Sequence, residues 1–135
     1  MKTLFSKIII ISLSLSVFGC GGPTIDRSSD EYDYISKSGK ITTYKGEPFT
    51  GILTKTHENG QLKWKTSYVE GKKDGSYEEY YENGQLEMKT SYKGGDYDGS
   101  YERYYENGQL KEKRSYKGGK IVGGTEYYDE NGQPK

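Results

Sequence analysis

Few side chains in this sequence have types and spacing that could do chemistry. Cys20 is the single cysteine, so it has no internal disulfide partner, and its thiol gains meaning only from its place just after an apolar run. His57 is the single histidine. An isolated imidazole builds neither a nucleophile–base pair nor a metal site, and Tyr81 and Tyr105 occupy its place further along the chain, so it reads as an ordinary strand residue. Asp74 and Asp98 each precede a glycine and could be imagined as calcium ligands, but turn chemistry accounts for Asp-Gly without a cation. The recurring glutamates have lysines placed opposite them, which favours ion pairing over general-acid work. No catalytic residue, metal site or cofactor is therefore expected. Tyrosines and one tryptophan remain. Tyr80, Tyr104 and Tyr128 recur at one spacing, and Trp64, Tyr77 and Tyr101 supply further aromatic mass. Rigid rings with polar tips suit recognition.

The elements that position these rings follow from an internal period. Glu58-Asn59-Gly60-Gln61-Leu62 returns at Glu82-Asn83-Gly84-Gln85-Leu86 and at Glu106-Asn107-Gly108-Gln109-Leu110, then as Glu130-Asn131-Gly132-Gln133 before Pro134, always 24 residues on. Asn-Gly between alternating residues is a hairpin signal, because both central positions of a type I′ turn need positive φ. With Asn83-Gly84 as a two-residue turn, Glu82 faces Gln85, Tyr81 faces Leu86, Tyr80 faces Glu87, Glu79 faces Met88 and Glu78 faces Lys89. Alternation then gathers Tyr77, Tyr81, Leu86, Met88, Thr90 and Tyr92 on one face, and Glu78, Tyr80, Glu87 and Lys89 on the other. A second set of bends is expected at Gly71, Gly94-Gly95 and Gly118-Gly119, followed by Asp74-Gly75, Asp98-Gly99 and Val122-Gly123. No mature segment has sustained helical periodicity. The expected fold is all-β, an elongated single-layer antiparallel sheet of stacked hairpins. One unit buries too little to fold alone, so stability should be shared along the array. Ser38 to Tyr44 reads as a shortened first repeat, while Thr125, Asp129 and Pro134 depart from the pattern and blunt the last edge.

Composition agrees with a repeat array: 15 tyrosines and 19 glycines in 135 residues, with only 30% hydrophobic residues. Twenty basic residues balance 20 acidic ones, which leaves no field to draw in nucleic acid. Lys2 and Lys7 precede an apolar run from Ile8 to Phe18, too short to span a bilayer and followed by helix-breaking glycines, so residues 1–19 read as an export signal. A simple secretory signal would make Cys20 incidental. Val17-Phe18-Gly19-Cys20, however, resembles the bacterial lipobox. That resemblance implies a diacylglycerol on the Cys20 thiol, cleavage before it and acylation of the new amino group, hence membrane anchoring in the cell envelope. The same resemblance implies that Gly21, in place of an aspartate, favours the outer membrane if the host is Gram-negative. Residues 20–34 lack apolar periodicity and read as the lipidated cysteine with a flexible tether, and residues 35–135 as the repeat domain.

Asp98-Gly99-Ser100-Tyr101-Glu102-Arg103-Tyr104-Tyr105-Glu106-Asn107-Gly108-Gln109-Leu110 resembles the bacterial variant of the MORN repeat, and the resemblance extends from about Tyr44 to Gln133. It implies end-to-end β-hairpins, no intrinsic catalysis, and an antitoxin or immunity-like role through a protein partner such as a toxin or envelope protein. A cell-envelope glycan gripped by the tyrosine row, or a purely structural spacer, remains open as an alternative, as does the choice of face.

Overall fold

The computed structural model describes residues 21–135, so Cys20 and the expected signal at 1–19 lie outside the described residues. The strands are β1 (Thr24–Asp26), β2 (Ile35–Ser38), β3 (Ile41–Tyr44), β4 (Glu47–Pro48), β5 (Gly51–Thr56), β6 (Leu62–Val69), β7 (Lys72–Tyr80), β8 (Leu86–Lys93), β9 (Asp96–Tyr104), β10 (Leu110–Lys117) and β11 (Lys120–Tyr127), with one 3-10 turn at Asp30–Tyr34. Eight strands form an open sheet in the order β1-β5-β6-β7-β8-β9-β10-β11. From β5 onward every neighbour is antiparallel and adjacent in sequence, as a chain of hairpins requires.

The Asn-Gly turn differs from the two-residue type I′ expectation. Tyr81 N–H donates to the Gln85 carbonyl and Gly84 N–H to the Tyr81 carbonyl, while Gly84 has φ +82 and Asn83 is not among the positive-φ residues. The loop is therefore Glu82-Asn83-Gly84, a type I turn closed by a left-handed glycine. Tyr80 consequently faces Leu86 in place of Glu87, and Glu87 is an extra residue in a bulge. The bulge restores register: Glu79 faces Met88 and Glu78 faces Lys89, as expected. Lys63 and Lys111 occupy the same bulge position in their hairpins.

The type I′ turns lie at the other rim, where Gly94-Gly95 and Gly118-Gly119 have positive φ at both central positions and Glu70-Gly71 does the same despite its Glu side chain. Asp98-Gly99 is not a bend between strands. It lies within β9, where Asp98, Gly99 and Ser100 together span the place opposite Ser91.

The N-terminal end departs from a single layer. The segment expected as a flexible tether is partly folded: β1 pairs in parallel with β5, and Ile25 is 1% exposed. Ile25 is the single buried apolar residue in an otherwise polar stretch, and β5 offers its unpaired edge, so burial and ladder hydrogen bonds both favour docking. Nor is Ser38–Tyr44 a unit of the main sheet. It contributes to a separate three-stranded sheet, β2-β3-β4, joined to the Glu70-Gly71 turn by Thr42 N–H to Gly71 O (2.7 Å) and Gly71 N–H to Phe49 O (2.8 Å). Ile25, Phe49, Leu53 and Tyr68 form the buried cluster there, with Trp64, Tyr44, Tyr32 and Ile35 packed against it. At the far end, Pro134 bridges to Tyr128 and Lys135 N–H reaches the Tyr127 carbonyl.

Candidate functional site

Each face of the sheet carries cross-strand rows, and the rows decide what is available for recognition. On one face the register places Lys65, Glu78, Lys89, Glu102, Lys113 and Glu126 opposite one another across six successive strands. Every residue of this row meets opposite charge on its neighbours, and each favourable pair contributes about 0.2–1 kcal/mol. Glu78 is bridged by Lys65 at 2.8 Å and Glu102 by Lys113 at 3.7 Å. Lys89 lies between the two glutamates in register, so the expected Glu78–Lys89 opposition exists while the close bridge is made with Lys65. Burial works against the Glu78 carboxylate, yet hydrogen bonds from Lys65 and Tyr80 hold its pKa below the ordinary value.

Tyr80, Tyr104 and Tyr128 occupy this charged face, and each donates its hydroxyl to the glutamate two residues earlier: Glu78, Glu102 (2.7 Å) and Glu126 (2.6 Å). Their polar tips are thus engaged within the sheet, and burial together with Glu102 pushes the Tyr104 pKa up to about 12. What the row offers outward is ring surface.

The opposite face runs Leu53, Thr66, Tyr77, Thr90, Tyr101, Arg114 across β5 to β10. Small threonines alternate with tyrosines, so the rings close over Thr66 and Thr90, which are 3% and 2% exposed. A second row on this face stacks Tyr92 on Tyr97 (4.6 Å, 28°) and Tyr97 on Tyr116 (5.0 Å). Two cations are set among the rings. The Arg114 guanidinium lies 4.4 Å from the Tyr101 centroid, and the Lys73 ammonium lies 4.6 Å from Tyr92 and 5.2 Å from Tyr77. Burial drives the Tyr77 and Tyr92 pKa values upward, with Glu79 and Tyr97 respectively adding to it.

The sequence-predicted residues therefore separate. Tyr77 is half-buried on this face, and Trp64 packs against the N-terminal cluster. Tyr101 is only 8% exposed beneath Arg114, Tyr97 and Tyr116, so it supports the surface and offers little contact of its own. Sequence reasoning missed Lys73, Arg114, Tyr97 and Tyr116. Aligning the units would have flagged two of them: Arg114 stands where Thr66 and Thr90 stand, and Lys73 where Tyr97 stands.

The turn residues do more than reverse the chain. Asn59, Asn83 and Asn107 each accept the Gln N–H two residues on (2.9 Å) through Oδ1. Through Nδ2 each donates to a carbonyl of the next unit, Glu82 (2.9 Å), Glu106 (3.3 Å) and Glu130 (2.8 Å). Tyr81 and Tyr105 send their hydroxyls to the next unit's Tyr104 and Tyr128 carbonyls. His57 does the same with Nε2 to Tyr80 O (2.8 Å). A carbonyl can only accept, so Nε2 carries the proton, and the histidine fills a stapling slot. Gly84, Gly108 and Gly132 have φ of +82, +83 and +79, a backbone conformation that strains any side chain, and a Cβ there would also have to displace the end of the preceding unit's Gln side chain. At the Asn131-Gly132 turn, Asp129 Oδ1 accepts from both Asn131 and Gln133 N–H. On the opposite rim, Asp74 and Asp98 accept the N–H of Gly94 (3.0 Å) and Gly118 (3.3 Å). Both aspartates thus spend a carboxylate oxygen on the next turn.

No curated protein and no solved structure matches the chain. Residues 73–93 and 97–117, the β7–β8 and β9–β10 hairpins, match the MORN repeat variant, so the chain carries MORN-variant repeats.

Proposed function

We propose that the chain is a non-catalytic binding protein, anchored to a bacterial envelope membrane through Cys20, that takes a protein partner on its tyrosine face. The observation that carries this is the pair of cations on that face, Lys73 between the half-buried Tyr77 and Tyr92 rings and Arg114 over the buried Tyr101 ring and bridged to Glu112 at 3.2 Å. Mixed aromatic and cationic surface is the chemistry of interface hot spots, and rings already locked by stacking lose little entropy on binding. MORN repeats generally mediate binding to membranes or proteins, which agrees with this assignment. An immunity-like role, in which the extended sheet occludes an incoming toxin, is the biological form that best combines an anchor with a rigid recognition surface.

Co-purification of the full chain with the products of adjacent genes tests the reading. A retained partner, released by Tyr92→Ala, supports it; retention of none rejects it. Loss of binding to purified cell wall in Tyr80→Ala/Tyr104→Ala would instead assign the charged face to a glycan.

A further inference from the structure

Across the repeat, one position beneath the tyrosine row reads Phe49, Lys73, Tyr97 and Ile121. In its own unit Phe49 packs on Tyr68 (5.8 Å), and Tyr97 stacks between Tyr92 and Tyr116. Lys73 alone puts a charge into this slot. It faces Tyr68 across the β6–β7 ladder, and its ammonium approaches the Tyr92 and Tyr77 rings. Among the described residues, neither Lys73 nor Lys37 has a carboxylate within salt-bridge distance, while Lys40 reaches Asp96 at 3.3 Å with both side chains exposed. Burial, and then the nearby Lys37 charge, lower the Lys73 pKa. A desolvated cation without a counterion is costly, and the repeat fills the slot elsewhere with uncharged residues, Phe49, Tyr97 and Ile121.

The three-stranded sheet adds the rest of the feature. Its docking on the Glu70-Gly71 turn brings the β2–β3 hairpin over this end of the tyrosine face, leaving a cleft of about 230 Å³ lined by Lys37, Lys40, Lys73, Tyr68 and Tyr92. We propose that this cleft is a receptor for a carboxylate side chain on an acidic segment of the partner polypeptide. The assignment rests on the protein-binding reading above and names the chemistry that the partner presents. The Lys37 and Lys73 ammonium groups, with Lys40 shared with Asp96, supply charge complementarity. The volume exceeds what a bare inorganic oxyanion needs and accommodates the methylenes of a glutamate against the Tyr68 and Tyr92 rings. From Tyr92 the stack continues through Tyr97 to Tyr116, giving the residues that flank the carboxylate a track along the sheet.

The test is a titration of the full chain in detergent with hexaglutamate, hexalysine and inorganic phosphate, followed by tyrosine and lysine side-chain NMR. Saturable shifts at Tyr92 and Lys73 are expected with hexaglutamate only, and Lys73→Met should weaken binding by about tenfold or more. Lys72→Gln, an exposed neighbour with the same loss of charge, should leave it unchanged. The melting temperature of Lys73→Met is followed in parallel, and if that variant fails to fold, Lys37→Gln/Lys40→Gln decides, with weaker binding required. Unchanged affinity in a folded Lys73→Met overturns the proposal, as does equal competition by phosphate, which would make the cleft a free-oxyanion site. A partner retained equally by the unmodified chain and Lys73→Met overturns this inference while leaving the binding reading intact; a chain that retains no partner overturns that reading itself.

Discussion

Replacing Thr90 by valine should stabilise the protein. Thr90 is 2% exposed on β8, opposite Tyr77 on one side and Tyr101 on the other, and its Oγ1 has no hydrogen-bond partner among the described residues. A buried hydroxyl left without a partner costs about 1–3 kcal/mol. Valine keeps the β-branched shape that a pleated strand favours and removes the unpartnered oxygen. Some of the gain is offset by imperfect repacking of a methyl where the hydroxyl was, leaving a net increase of about 1–2 kcal/mol. At about 4–8 °C per kcal/mol for a small domain, Tm should rise by roughly 4–16 °C. Circular dichroism melts at matched concentration measure this, and urea unfolding with an unchanged slope would show that the native state is the one affected. A fall in Tm of several degrees would refute the reasoning, because it would mean that the hydroxyl makes a hydrogen bond the sheet depends on.

Other perturbations address the staples and the charge row. Asn107→Asp keeps the Oδ1 acceptor for Gln109 N–H but sets a carboxylate against the Glu130 carbonyl; a loss of about 1–3 kcal/mol in urea unfolding is expected, and an unchanged midpoint would deny the inter-unit bond. Lys89→Glu places three glutamates in succession across β7, β8 and β9 and should cost about 1 kcal/mol at low salt, recovered in part by added salt; salt-insensitive stability would contradict the row's electrostatic origin. The pH dependence follows from partly buried tyrosines such as Tyr77, Tyr80, Tyr92 and Tyr104, whose folded pKa values lie above the ordinary value near 10, with Tyr104 at about 12. The neutral form is favoured in the folded state, so this stabilisation is complete below pH 10 and is lost as pH rises from 10 towards 12. Urea midpoints should fall across that window while tyrosinate absorbance shows delayed ionisation, and coincident ionisation of folded and unfolded chains would be the adverse result.

Much of this architecture is legible in the sequence because a repeat states each rule several times. The 24-residue spacing of Asn59, Asn83, Asn107 and Asn131 implies hairpins in register, and the Glu–Lys oppositions follow once any one turn is placed. The turn itself is the weak step. Asn-Gly satisfies type I′ but serves equally as the third and fourth residues of a type I turn closed by a left-handed glycine, and local composition does not separate the two. The misplaced pair, Tyr80 with Glu87, does not propagate, because the Glu87 bulge absorbs the difference before Glu79. Hydrophobic patterning gave no notice of β1, since Ile25 is one apolar residue in a polar stretch and its burial depends on an edge formed far away in sequence. The cationic cleft was similarly hidden. Its lysines come from β2, the β2–β3 turn and β7, and Lys73 looks like a solvent-face residue until its unit is laid over those containing Phe49 and Tyr97.

The most direct test of the account is comparative co-purification of the full chain with products of adjacent genes, using the unmodified protein, Lys73→Met/Tyr92→Ala on the tyrosine face and Tyr80→Ala/Tyr104→Ala on the charged face, each shown to be folded. The account predicts a partner retained by the unmodified and charged-face variants and lost from the tyrosine-face variant. Retention that survives the tyrosine-face changes and disappears with the charged-face ones, or no retained partner in any case, would contradict it.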